Sequence, residues 1–206
     1  MIYLAIIIII IAYLIGSIPV GYIVSKAISG RDVRTGGSGA TGATNVARQL
    51  GMKYSVVVSV FDIAKGAVPV LLAGALAPDV MWLRGVTAIA AIIGHCFPVW
   101  IGFRGGKGIN TAFGAAIVIA PLSAVIALAV FAVVFVITRF VSVGSLAAVV
   151  AFAVLALGPK MDAGGLDVKI FAVAMPIIVF FTHRKNIVRL VRGEELKPTK
   201  QPDAGK

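Results

Sequence analysis

Six apolar runs, at 2–24, 54–77, 85–103, 109–138, 143–158 and 170–182, limit what this chain can fold into more than any other feature. A helix needs about 20 apolar residues to cross the hydrocarbon core of a bilayer, with a working range of roughly 17 to 25. Mean hydropathy is +1.04. Only 13% of the 206 residues are charged, where a soluble domain carries roughly a quarter. Lipid is therefore the expected solvent, and the fold class is all-α: a polytopic integral membrane protein. Length allows one membrane-embedded domain over 1–195. The polar remainder, 196–206, holds two prolines and is expected to be a disordered tail. Met1 to Val24 has no basic residue ahead of it and no clear small-residue cleavage site, so it reads as a retained first span, not a signal peptide.

The run 109–138 is ambiguous by itself. At ~1.5 Å per residue its 30 residues would reach about 45 Å, against a hydrocarbon core of about 30 Å. Pro121 lies inside it and biases Ala120 away from helix. One tilted helix and a tight helical hairpin both fit. Charge separates them. With the loop 25–53 inside, a hairpin puts fifteen Lys and Arg inside and three outside (Arg84, Lys160 and Lys169). A single span makes it nine against nine. The positive-inside rule prefers the hairpin. Seven spans follow, near 2–24, 54–77, 85–103, 109–120, 122–138, 143–158 and 170–182, with the amino terminus outside and the carboxyl terminus cytoplasmic. The short runs 109–120 and 170–182 then need polar flanks or a locally thinned bilayer.

That topology puts four polar, glycine-rich segments on one face: 36–48, 103–111, 138–145 and 182–190. The net charge of +11 would suggest nucleic acid on a soluble protein. Here it points to anionic lipid or an anionic substrate instead.

Gly37 to Gly42 matches the spacing G-x-G-x-x-G, yet no strand precedes it and no βαβ unit follows, so the dinucleotide reading fails. Ala43 stands where a Walker A loop needs lysine. The segment is either a flexible loop or a phosphate cradle. Glycines let backbone N–H groups approach an anion, Ser38, Thr41, Thr44 and Asn45 add short hydrogen-bonding groups, and Arg48 offers a planar fork. Gly105, Gly106, Lys107 and Gly108 precede an apolar run whose helix N-terminus would face the loop, an anion site with Lys107 as its point charge. A tight turn with a snorkelling lysine is the plainer alternative. His183 and Asn186 share a helix face at the end of the last span, either as site residues or within a basic anchor. Ser142 and Ser145 are explicable as helix caps alone. Within the spans, Asp62 and Lys65 are read as a structural ion pair, with a relay as the alternative. His95 is read as a buried imidazole bonded to a neighbouring helix carbonyl.

Acids are few, eight in all, and no carboxylate pair lies in the four segments. No magnesium ligand set is apparent. Two histidines and the lone Cys96 argue against zinc. Phosphate charge must then be met by lysine, arginine and backbone N–H.

With these residues assembled, the chain resembles the bacterial acyl-phosphate:glycerol-3-phosphate acyltransferases, the PlsY family, over nearly its whole length. The resemblance is carried by Gly16-Ser-Ile-Pro-Val-Gly21, Gly37-Ser-Gly39 through Gly42-Ala-Thr-Asn-Val46 and Arg48, and Asp62-x-x-Lys-Gly66. Further on come Gly94-His-x-Phe-Pro-Val99, Gly105-Gly-Lys-Gly108, His183-Arg-x-Asn186 and Gly193-Glu194. It implies transfer of an acyl group from acyl phosphate to the 1-hydroxyl of glycerol 3-phosphate in the bacterial cytoplasmic membrane, at a site facing the cytoplasm. It also implies no cofactor and no metal, a monomer, and functional coupling to the enzyme that makes acyl phosphate. Ser38, Lys107, His183 and Asn186 would be catalytic. Arg48, Asn45, Gly105, Gly106, Gly108 and Ser142 would bind substrate. Ala40 and Asn110 depart from the family pattern, where asparagine and a small apolar residue are usual. Two rival classes remain: a transporter using Asp62 and Lys65, and a lipid-binding scaffold.

Overall fold

The computed structural model describes residues 1–158 and 164–197. Lys160 and residues 198–206 of the expected tail lie outside the described residues. The described residues are helical with short connections: α1 (Ile2–Gly16), α2 (Val20–Ser29), α3 (Ala43–Leu50), α4 (Met52–Leu76) and α5 (Leu83–Cys96), then α6 (Ile109–Ile119), α7 (Pro121–Thr138), α8 (Val141–Leu157), α9 (Leu166–Thr182) and α10 (Arg184–Val191). Among them, four stretches are long and apolar enough to cross a bilayer: 2–29, 52–76, 83–101 and 121–138. A fifth candidate is α9 with α10, bent by 58°. Helices α6 and α8 are apolar but shorter.

Prolines set the breaks. The expected continuous span 2–24 is instead two helices, because Pro19 has no N–H and Ile18 before it is pushed out of helical geometry. The carbonyl of Ile18, outside the helical ladder, accepts from the Val20 N–H and from Lys65 Nζ, both at 3.0 Å. The expected span 85–103 ends as α-helix at Cys96, two residues before Pro98. Between Ile119 and Pro121 the chain turns at Ala120, so 109–138 is two helices. The last apolar helix starts at Leu166, earlier than the run 170–182 suggests.

The bundle is packed with small residues inside and large ones outside. Ile6, Ile10, Phe61, Leu71, Val133 and Val136 face outward, while glycines mark the closest helix crossings. A Cβ built on Gly16 would fall on the Ala91 carbonyl, and one on Gly94 would fall on the Tyr13 carbonyl, so α1 and α5 cross backbone to backbone. Gly66 and Gly114 meet the carbonyls of Thr111 and Ile63 in the same way, joining α4 to α6.

Lys65 Nζ lies 2.7 Å from Asp62 Oδ1, so the expected intramembrane pair is formed. His95 departs from expectation. Its Nδ1 faces Asp62 Oδ1 at 3.5 Å instead of a helix carbonyl.

Substituting Gly114 by alanine should destabilise the protein by roughly 1–3 kcal/mol through overpacking. A thermal unfolding series in detergent micelles should show Gly114→Ala well below wild type, and Gly42→Ala, whose Cβ meets open space, close to it.

Candidate active site

All four polar segments meet at one end of the bundle. Thr41 N–H donates to the Gly105 carbonyl at 3.4 Å. Arg34 Nη1 donates to the carbonyls of Ile101 at 2.8 Å and Arg104 at 3.4 Å. Thr182 Oγ1 donates to the Lys107 carbonyl at 3.1 Å. Residues more than 60 positions apart in the chain are thus tied together by backbone carbonyls.

The first segment is shaped by an arginine and an asparagine. Asp32 accepts from the Arg34 backbone N–H at 2.9 Å and from its guanidinium at 2.8 Å and 3.1 Å. The Arg34 hydrogen bonds hold its carboxyl below the usual range. Gly37 and Gly39 turn the chain at φ +58° and +73°, a conformation that favours glycine. Asn45 then fills the turn. Its Nδ2 faces the carbonyls of Val33 at 2.9 Å, Gly36 at 3.2 Å and Ala40 at 2.9 Å, and its Oδ1 accepts the Ser38 N–H at 2.9 Å. Expected to bind substrate, Asn45 has its amide engaged in bracing the loop. That bracing presents Ser38, whose hydroxyl has no partner among the described residues.

The second segment sits above α5. Gly105 and Gly106 N–H groups donate to the carbonyls of Cys96 and His95, both at 3.1 Å. Gly108 caps α6 at φ +84°. Lys107 is largely enclosed. Burial pulls its ammonium down to about 8, against the opposing effect of the Glu195 carboxylate.

The third and fourth segments meet on a residue that sequence reasoning missed. Glu195 Oε1 accepts from Ser142 Oγ at 2.8 Å and from Asn186 Nδ2 at 2.6 Å, and Oε2 accepts from Arg189 Nε at 2.9 Å. Burial would raise this carboxyl, but bonds from Asn186, Ser142 and Arg189 outweigh burial and hold it below the usual range. The following residues cover Arg48: its Nε and Nη2 donate to the carbonyls of Lys197 at 3.0 Å and Leu196 at 2.9 Å. Burial lowers the Arg48 pKa from its ordinary value. Glu195 was visible in the sequence only as an acid beside the Gly193-Glu194 anchor. The missing signal was that a chain with eight acids places one of them among its clustered cations.

His183, at the 58° bend, is 2% exposed. Its Nδ1 lies 2.9 Å from the Val179 carbonyl, which can only accept, so Nδ1 carries the proton and Nε2 is the bare nitrogen. Burial, then the Lys107 charge, push the imidazole down to about 4, so it is neutral at pH 7.

Beside these groups lies an apolar cavity of about 340 Å³, bounded by residues including Asn110, Ala116, Ala127, Phe131, Phe152 and Met175. Asn110 lies two residues from Gly108, so the cavity adjoins the glycine loop. The departure from the family pattern at Asn110 therefore falls on a cavity wall. The arrangement presents Lys107, Arg48 and Arg189 on one side and space for a hydrocarbon chain on the other.

Comparison with known proteins agrees with this picture. A family model described as glycerol-3-phosphate acyltransferase matches residues 6–193. A glycerol-3-phosphate acyltransferase of Anaeromyxobacter dehalogenans is 46% identical over 193 residues, covering 90% of this chain and 92% of that one. One from Myxococcus xanthus is 43% identical over 189 residues, covering 91% and 96%. The crystal structure of PlsY, an integral membrane glycerol 3-phosphate acyltransferase, in its glycerol 3-phosphate form, superposes with a TM-score of 0.87 at 36% identity, covering 94% of each chain. Its lysophosphatidic acid form gives 0.83 at 34% identity, again covering 94% of each. The chain belongs to the glycerol-3-phosphate acyltransferase family.

Proposed function

We propose that this protein transfers a fatty acyl group from acyl phosphate to the 1-hydroxyl of glycerol 3-phosphate, giving lysophosphatidic acid and inorganic phosphate. The observation that carries the reading is the basket around Glu195. Ser142, Asn186 and Arg189 converge on one carboxylate, with the Lys107 and Arg48 charges acting at the same place and an apolar cavity beside them. A site that holds an anion and adjoins a hydrocarbon-sized space suits an acylated phosphate. The solved relatives in glycerol 3-phosphate and lysophosphatidic acid forms supply the acceptor and the product.

We assign seven spans, a single membrane domain over 1–195, an outside amino terminus and a cytoplasmic site in the bacterial inner membrane. The charge count supports this, as does the separation of α6 from α7 at Ala120. In this topology Asp62 and Lys65 serve as a buried pair, not as a transport path. Metal independence follows from chemistry: acyl phosphate is a mixed anhydride, already activated, and lysine, arginine and N–H groups can meet its charge. The enzyme would act as a monomer, coupled in function to the enzyme that makes acyl phosphate.

In the reaction, the glycerol 3-phosphate hydroxyl oxygen attacks the acyl carbonyl carbon. A new carbon–oxygen ester bond forms, the carbonyl-to-phosphate-oxygen bond breaks, and phosphate leaves with the bond's electron pair. Lys107 and Gly108, at the head of α6, hold the donor phosphate, while Gly105 and Gly106, whose N–H groups are bonded to the Cys96 and His95 carbonyls, shape the loop. Arg48, Ser142 and Asn186 hold the acceptor phosphate once it displaces Glu195 and the Leu196 and Lys197 carbonyls from them, with Asn45 bracing the loop that presents Ser38. Positioning two anions together supplies most of the rate enhancement. The hydroxyl proton goes to His183 Nε2 or to a substrate phosphate oxygen. Burial and the Lys107 charge disfavour imidazolium, and two bound phosphates would raise the His183 pKa.

The reading is tested by incubating purified protein with acyl phosphate and glycerol 3-phosphate, with acyl-CoA and acyl carrier protein as alternative donors. Lysophosphatidic acid should form from acyl phosphate alone. Product only from a thioester would overturn the donor assignment. Lys107→Ala should lower kcat/KM for acyl phosphate by about 100-fold or more, and full retention in a folded variant would contradict the scheme. His183→Ala with turnover intact would identify a substrate phosphate as the base.

Lys107 also sets a pH dependence. A lysine lowered to about 8 is charged below that pH and neutral above it. Acyl phosphate kcat/KM should therefore fall as pH rises through 8. Lys107→Arg, charged at any accessible pH, should lose that fall, and an unchanged profile would remove Lys107 as its cause.

A further inference from the structure

Asp62, Lys65 and His95 are each at most 6% exposed, lie within the helix bundle, and take no part in the reaction described above. Stability alone is a weak reason for them, since a buried ion pair is often no better than apolar residues of similar volume. Their location gives a better one. His95 stands between the Asp62 carboxylate and the glycine loop. On one side its Nδ1 faces Asp62 Oδ1 at 3.5 Å. On the other, a Cβ built on Gly106 would fall on His95 Nε2, with Cδ2 and Cε1 crowding the same point. The ring edge is therefore the floor on which Gly106 rests. The same residue also ties the loop from its backbone, because the Gly106 N–H donates to the His95 carbonyl at 3.1 Å. Asp62 is in turn held by Lys65, and Lys65 by the Ile18 carbonyl at the break before Pro19.

We propose that His95 is a positioning residue for the acyl-phosphate loop, with Asp62 and Lys65 orienting its ring so that Gly106 and Lys107 stand at the height the donor phosphate requires. The inference rests on reading Gly105–Gly108 as the donor-binding loop. The break at Pro19, the intramembrane pair and the loop become one connected support, running from Ile18 through Lys65, Asp62 and His95 to Gly106. No charge need move along it.

A kinetic cycle on the purified full-length protein tests this, with KM measured separately for both substrates. His95→Ala removes the floor, and Gly106→Ala drives a methyl into it. Each should raise the KM for acyl phosphate about tenfold while moving the KM for glycerol 3-phosphate less than about twofold. In the double variant the new methyl occupies space the ring has left, so it should be no worse than the poorer single. Penalties that multiply, or equal increases in both KM values, would overturn the proposal. A second comparison covers the case in which His95→Ala does not fold. His95→Gln keeps a polar atom near the Nε2 position, and His95→Asn keeps one near Nδ1. Gln should hold the donor KM within about threefold of wild type and Asn should not, whereas Asn equal to or better than Gln would overturn it. Wild-type protein that leaves acyl phosphate intact would remove the donor reading and this inference together. Wild-type turnover with unaltered donor KM in the variants would remove only the inference.

Discussion

Close backbone contact between helices is the constraint on which the rest of the structure depends. In lipid, helices gain little from burying apolar side chains against one another, so association relies on packing at short range. Gly16 and Gly94 let α1 and α5 touch through carbonyls, and Gly66 and Gly114 do the same for α4 and α6. These two crossings fix the heights of four helices. Because those heights are fixed, the loop after α2, the loop between α5 and α6, and the chain entering α4 open at the same end. The polar site is a consequence of where glycines lie inside the apolar bundle.

Helix interruption is the second element. Breaking a helix in the membrane exposes polar backbone that must find partners. The break at Pro19 takes the Ile18 carbonyl out of the helical ladder, and the Val20 N–H and Lys65 Nζ share it. The bend at His183 leaves the imidazole fixed by the Val179 carbonyl with its other nitrogen bare. The turn through Gly37 and Gly39 is satisfied chiefly by Asn45, with the Gln49 amide sharing the Val33 and Gly36 carbonyls. In each case a polar side chain bonds to backbone at the interruption, and the same side chain or its neighbour lies in or under the site.

Features set by local chemistry were legible in the sequence. Pro121 announced the division of 109–138, and the spacing of Asp62 and Lys65 announced their pair. The glycine loops and their cations were also visible, because glycine and charge are rare enough in an apolar chain to stand out. What was not legible depends on distance along the chain. Glu195 meets Ser142 across 53 residues, and nothing local to either marks the contact. Asn45 was read as a phosphate ligand because its chemistry allows it, yet three carbonyls and one N–H closer at hand claim its amide. His95 was assigned a carbonyl partner because that is the commonest one in a helix bundle. Its actual neighbour, Asp62, lies on another helix. Pro19 was inside a recognised motif, but the apolar run around it concealed that it ends a helix.

The central claim is that segments distant in the chain assemble one anion site on the cytoplasmic side of the membrane. Arg104 and Lys185 flank that site from two different segments, and both are exposed; the native Cys96 is buried and should not react. Single replacements Arg104→Cys and Lys185→Cys, probed with a membrane-impermeant thiol reagent in sealed right-side-out and inside-out vesicles, read their sides directly. Both should label in inside-out vesicles and resist labelling in right-side-out ones. Reaction of the two positions from opposite faces would contradict the account.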